Sequence, residues 1–243
     1  MKLTWLIIGL FCTGAMAAGN TEIESFSTAK KLMQNSIYTT ETLRKMIYCG
    51  AVFDSKKQIT LPEGFQTAVY LKRRFKWEAE HIVPAENFGR TFSGWREGNS
   101  VCVDSKGKVF KGRKCAEKAN KEYRLMQSDL YNLAPAIGSV NAARQNYNFT
   151  MLPTAKSKFG SCDMRIDDRK VQPPEEARGR IARTYLYFES AYPRYKMSNA
   201  QRQLMNAWDK QYPVTKNKCD IAKKIKVVQR SNNQVLEQRC SAL

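Results

Sequence analysis

Residues 77–81 read WEAEH and end on the one histidine in a chain of 243 residues. Phe75, Trp77, Ala79, His81 and Val83 alternate with Lys76, Glu78 and Glu80, which predicts a strand that ends at Pro84. The alternation puts Glu78 and Glu80 on one face and His81 on the other. Outward from this strand the pattern changes to helical. Residues 23–47 carry Phe26, Leu32, Ile37, Leu43 and Ile47 at roughly helical spacing, and residues 117–131 read the same way. The stretch APAIGSVNAARQNYNF (134–149) predicts a turn and then a short helix from near Ser139. In ARGRIARTYLYFESAY (177–192) an apolar stripe runs through Ile181, Tyr185 and Phe188. Ser198 and Gln201 form a capping box for a further helix reaching about Tyr212. The tyrosines and Trp208 of this region are expected in the core. There is no repeat and no low-complexity linker, so the expected fold is a single α+β domain, mainly helical around one strand motif.

The N-terminus predicts export. Lys2, the apolar run Leu6–Phe11 and the small residues Ala15-Met16-Ala17 have the layout of a signal peptide cleaved after Ala17. The expected division is therefore 1–17 signal and 18–243 domain. Cys12 leaves with the signal, and Cys49, Cys102, Cys115, Cys162, Cys219 and Cys240 remain. An even count in an exported chain favours disulfides, although six cysteines allow about 15 pairings. Zinc fits poorly, because no two cysteines have C-x₂-C spacing and histidine partners are missing. A disulfide between Cys102 and Cys115 would pin the Gly-, Ser- and Lys-rich loop of residues 95–115. No later stretch is apolar enough to span a bilayer, and the expectation is a soluble protein without a membrane partner.

Charge and histidine count narrow the chemistry. A net charge of +19 spread along the chain suits a polyanion: nucleic acid, an acidic glycan or an anionic lipid surface. One histidine excludes a two-histidine acid/base pair and the two-histidine zinc sites. A Ser-His-Asp triad lacks a G-x-S-x-G elbow. A single imidazole acting as general base beside a metal held by oxygen ligands remains open, since carboxylate and amide oxygens suit Mg²⁺. So do two other readings. Glu78 and Glu80, with Cβ atoms roughly 6–7 Å apart on one strand face, approach the carboxylate spacing of glycosidases. A histidine on a strand is also often only a satisfied structural residue, and an exported basic protein that binds nucleic acid or glycan needs no catalyst.

WEAEHIVPAENFG (77–89), GRKC (112–115), SDLYNLAPAIGSVNAARQNYNF (128–149), FGSCDMRIDD (159–168), PPEEARGRIARTYLYF (173–188) and LMNAWDKQYPV (204–214) together resemble the endonuclease I family. These are bacterial periplasmic and secreted non-specific nucleases, and the blocks occur in the family's order over most of the chain. The resemblance implies a ββα-metal active site related to that of HNH-type nucleases. By it, His81 would be the general base, and Glu80 and Asn141 would hold one Mg²⁺, with Mn²⁺ or Ca²⁺ as substitutes. Arg113 would steady the phosphate or its leaving group, with Arg96 as the fallback, and Glu78 would be a supporting acid. The implied substrate is DNA, with RNA also cut, in the periplasm or outside the cell, by a monomer. Strand geometry adds a condition. Glu80 and His81 can serve one site only where the backbone leaves regular strand geometry, or toward the strand's end. The chain also departs from the family at Gln127, where a glutamate is usual, at the long loop 101–115, and at Ala51, where a cysteine is usual. The pairing implied for the remaining cysteines is Cys102–Cys115, Cys49–Cys162 and Cys219–Cys240.

Overall fold

The computed structural model describes residues 19–243, so the expected signal over residues 1–17 lies outside the described residues. In chain order the strands are β1 (Val52–Phe53), β2 (Ile59–Thr60), β3 (Trp77–His81), β4 (Leu133–Ile137), β5 (Asn148–Phe149), β6 (Ser157–Phe159), β7 (Cys162–Asp167) and β8 (Lys170–Gln172). The helices are α1 (Phe26–Leu32), α2 (Ala85–Gly89), α3 (Ser93–Arg96), α4 (Arg113–Ala119), α5 (Lys121–Gln127), α6 (Gly138–Arg144), α7 (Glu175–Ala191), α8 (Asn199–Gln211), α9 (Lys216–Gln229) and α10 (Gln234–Cys240). The chain is one mixed domain with the α+β character read from the sequence.

β3 forms where the alternation predicts it and pairs antiparallel with β4, with Trp77 opposite Ile137 and His81 opposite Leu133. The expected turn at 134–137 is therefore a strand. Its proline misleads, because Pro135 sits in a two-stranded ladder whose outer edge needs no N–H. The outward Pro135 carbonyl instead accepts from the Ile47 amide at 2.9 Å. α6 follows β4 directly and lies against β3. Only glycine fits its first position. A Cβ on Gly138 would meet Glu78 Oε1 at 2.7 Å and the Arg73 carbonyl at 2.8 Å. The β3–β4–α6 unit is thus the ββα arrangement that the resemblance implies.

The expected long helix over 23–47 is a second correction. α1 is capped by Ser25, whose hydroxyl accepts from the Thr28 amide, and it gives way to a π-helical turn at Met33–Ile37. Beyond Tyr38 the chain is irregular apart from a 3₁₀ turn at Glu41–Leu43. The Arg44 guanidinium bonds the Tyr38 and Thr39 carbonyls there, in place of helical donors. The 117–131 helix is split into α4 and α5 at Asn120, whose side chain caps α5 through the Tyr123 amide. In the C-terminal third the expectations hold. Ser198 caps α8, and Ile181, Tyr185, Phe188 and Trp208 are buried in a core shared with Ile82, Val83 and Phe88. The sheet β5-β8-β7-β6 has no forerunner in the sequence reading. Disulfides join Cys49 to Cys162, Cys102 to Cys115 and Cys219 to Cys240, as the resemblance implies.

Candidate active site

At the end of β3 the backbone leaves the ladder, and side chains take over its hydrogen bonds. Asn132 mimics a strand neighbour: its Oδ1 accepts from the Val83 amide at 2.7 Å, and its Nδ2 donates to the Val83 carbonyl at 3.0 Å. Arg144, on the last turn of α6, donates to the carbonyls of His81 at 2.8 Å and Ile82 at 2.7 Å. This break meets the geometric condition set by the strand. Glu80 and His81 leave β3 in opposite directions, yet both line one cleft of about 390 Å³ together with Arg113, Asn141 and Arg144.

His81 is 8% exposed. Its Nε2 lies 2.8 Å from the Gln127 carbonyl, which can only accept. The proton is therefore on Nε2, and Nδ1 carries the lone pair. Phe26 packs on the imidazole with ring centroids 4.8 Å apart, and the Arg113 guanidinium lies 5.2 Å from the centroid of the same phenyl ring. Burial, and then the positive charges of Arg113 and Arg144, hold the imidazole pKa down to about 3, so it is neutral at physiological pH. The Gln127 backbone carbonyl orients His81, so glutamine at this position does this as well as glutamate would. Its side-chain Oε1 accepts a long 3.4 Å bond from Arg113. Two residues on, Asp129 anchors the segment by accepting from the Tyr187 and Tyr192 hydroxyls and the Gln229 amide.

Glu80 is 3% exposed, and burial pushes its carboxyl above the ordinary range while Arg144 and Tyr48 oppose that rise. Its Oε1 accepts from the Tyr48 hydroxyl and from Arg144 Nη1 at 3.0 Å. Its Oε2 is left without a protein partner among the described residues. Asn141 is in a similar condition. Its Nδ2 donates to Glu78 Oε2 at 2.9 Å, which fixes the amide orientation and leaves Oδ1 free to accept. Glu78 itself is held by a bidentate Arg73 and does not line the cleft. The cleft thus presents one carboxylate and one amide oxygen, a donor set that suits Mg²⁺ with its few protein ligands. Among the described residues no group of three or more His, Cys, Asp or Glu converges.

Of the residues read from the sequence, His81, Glu80, Asn141 and Arg113 come together in one cleft, and Glu78 stands behind Asn141. Arg96 bonds the Arg90 carbonyl and Glu97 and does not reach the cleft. The sequence reading missed Arg144, Tyr48, Phe26 and the Gln127 carbonyl. For Arg144 there was a signal: in NAAR it lies three residues after Asn141, on the same helical face.

The family model for Endonuclease I matches residues 25–240. An extracellular deoxyribonuclease of Aeromonas hydrophila is 32% identical over 97% of this chain and 96% of its own length. A periplasmic deoxyribonuclease of the same organism is 32% identical over 99% and 97%. Endonuclease-1 of Buchnera aphidicola is 34% identical over 90% and 82%.

Proposed function

The chain belongs to the endonuclease I family, and from that premise we propose that it is an exported, metal-dependent endonuclease that hydrolyses DNA phosphodiester bonds without marked sequence preference. Residues 1–17 would be the export signal, and the Aeromonas relatives' names support a periplasmic or extracellular destination. The observation that carries the reading is the pairing, in one cleft, of a neutral imidazole whose Nε2 is engaged by a carbonyl with two oxygens, on Glu80 and Asn141, that have no protein partner among the described residues.

In this mechanism His81 Nδ1 takes a proton from water, whose oxygen bonds to phosphorus as the bond from phosphorus to the leaving oxygen breaks. The Gln127 carbonyl stabilises the resulting imidazolium through its bond to Nε2. Glu80 Oε2 and Asn141 Oδ1 would hold one Mg²⁺, which supplies Lewis-acid charge to the phosphate oxygens. Arg113 offers a further positive charge to the phosphate or its leaving group. Glu78 is a positioning residue: it turns the Asn141 amide so that its oxygen faces the cleft. The groups in the cleft would engage phosphate and not base edges, so the proposal extends to RNA.

Digestion of a supercoiled plasmid tests the proposal. Nicked and linear forms should appear with Mg²⁺ and not with EDTA, and a ribo-oligonucleotide should be cut under the same conditions. An intact plasmid in Mg²⁺ would leave the binding-protein reading in its place.

A further inference from the structure

Beside the cleft lies a second concavity of about 170 Å³, and Gln145, at the end of α6, lines both. Tyr70 and Tyr147 border it, the buried Phe159 and Met164 lie beneath, and the exposed Lys158 stands at the rim. Two of the bordering residues are in backbone conformations that L-residues rarely adopt: Tyr70 at φ 52°, ψ 41° and Gln145 at φ 53°. Such conformations cluster where a binding surface is held in shape. Tyr70 also begins a stretch that leaves apolar side chains in water. Tyr70 is 46%, Leu71 60% and Phe75 58% exposed, among Lys72, Arg74 and Lys76. The pocket is too small for a drug-sized ligand, which occupies about 300 Å³ or more. An aromatic-walled slot with a cationic rim, continuous with a cleft for phosphate, matches a single nucleobase on a polyanionic strand.

Building on the nuclease reading, we propose that this pocket receives one nucleobase of the substrate strand, at a fixed number of nucleotides from the scissile phosphate. The base stacks on Tyr70 and Tyr147, and Lys158 meets an adjacent phosphate. The base must be unpaired to enter, so single strands and locally opened duplexes use the pocket directly.

The test is an abasic walk. One abasic site is moved along a single-stranded oligonucleotide, and KM and kcat are measured at each position. Resolved by cut site, the phosphate at one fixed offset from each abasic position should show KM raised roughly tenfold, the scale of one base–aromatic stack, with kcat little changed. Tyr70→Ala and Tyr147→Ala should raise KM for the intact strand to that level and erase the abasic penalty, while Tyr70→Phe keeps it. Binding is read separately in EDTA, where 2-aminopurine at the same position should be quenched by wild type and not by Tyr70→Ala. A flat walk overturns the proposal, as does a penalty or quench that survives both alanine variants. If the wild type cuts nothing, the nuclease reading falls, and the quench alone decides the pocket. Tyr70 is exposed enough that its replacement leaves folding intact, which a thermal melt checks.

Discussion

Replacing Arg144 with methionine should be among the most destabilising single changes in the protein. Arg144 is buried and pairs with the equally buried Glu80, so its removal leaves a charge without a partner. Breaking such a pair costs about 3–5 kcal/mol. The His81 and Ile82 carbonyls lose their donors as well, at roughly 1 kcal/mol each. The expected loss is about 5–7 kcal/mol, or roughly 10–25 °C in Tm for a domain of this size. Glu80 has a way to relieve part of it, because an unpaired buried carboxylate takes up a proton. The deficit should therefore be larger at pH 8 than at pH 5, and Glu80→Gln on top of Arg144→Met should recover part of it. Urea melts of wild type, both single variants and the double variant, with the disulfides kept oxidised, give the coupling energy directly. A Tm within about 2 °C of wild type, or a coupling near zero, would refute the view that this pair secures the end of the strand.

Three more outcomes follow from the same geometry. His81 has a folded pKa near 3 against about 6.5 when unfolded, so the unfolded chain binds the proton first as the pH falls. Its contribution to stability is complete above about pH 6.5 and is lost toward pH 3, so wild type should lose about 2 kcal/mol more than His81→Gln between pH 7 and pH 5, measured by urea titration. Glu78→Gln should raise the Mg²⁺ concentration needed for half-maximal cutting severalfold while leaving the pH profile in place, because it loosens the Arg73 pair and the Asn141 amide and leaves His81 untouched; an unchanged metal titration contradicts that role. DNA binding in EDTA should weaken linearly in log–log form as salt rises, with a slope of about −0.9 per phosphate contacted.

How much of this was legible beforehand depended on the range of the interactions. β3 and its histidine could be read because alternation and Pro84 are local signals. β4 could not, since Pro135 and Gly138 read locally as a turn, and only pairing with a strand far away in the chain makes the segment extended. The helix expected over 23–47 failed for a related reason: the bonds that Arg44 makes to the Tyr38 and Thr39 carbonyls favour an irregular path that periodicity does not register. In the site, His81, Glu80, Asn141 and Arg113 were found through motif and resemblance, while Phe26 and Arg144, which line the same cleft, were not. Nor were the supports. Tyr48 reaches Glu80 from a distant segment, and Gln127 acts through a backbone carbonyl that its side-chain identity does not reveal. Glu78 was placed near the chemistry as a supporting acid, and its bond to Asn141, on which the proposed orienting role rests, has no signal in the sequence.

The central claim is that His81 Nδ1 takes the proton from the attacking water. Its most direct test is the single-turnover rate of plasmid nicking in Mg²⁺ for wild type and His81→Ala at matched DNA occupancy. The account predicts a loss of roughly 10²–10⁴-fold with DNA affinity retained. Cutting by His81→Ala at the wild-type rate would contradict it.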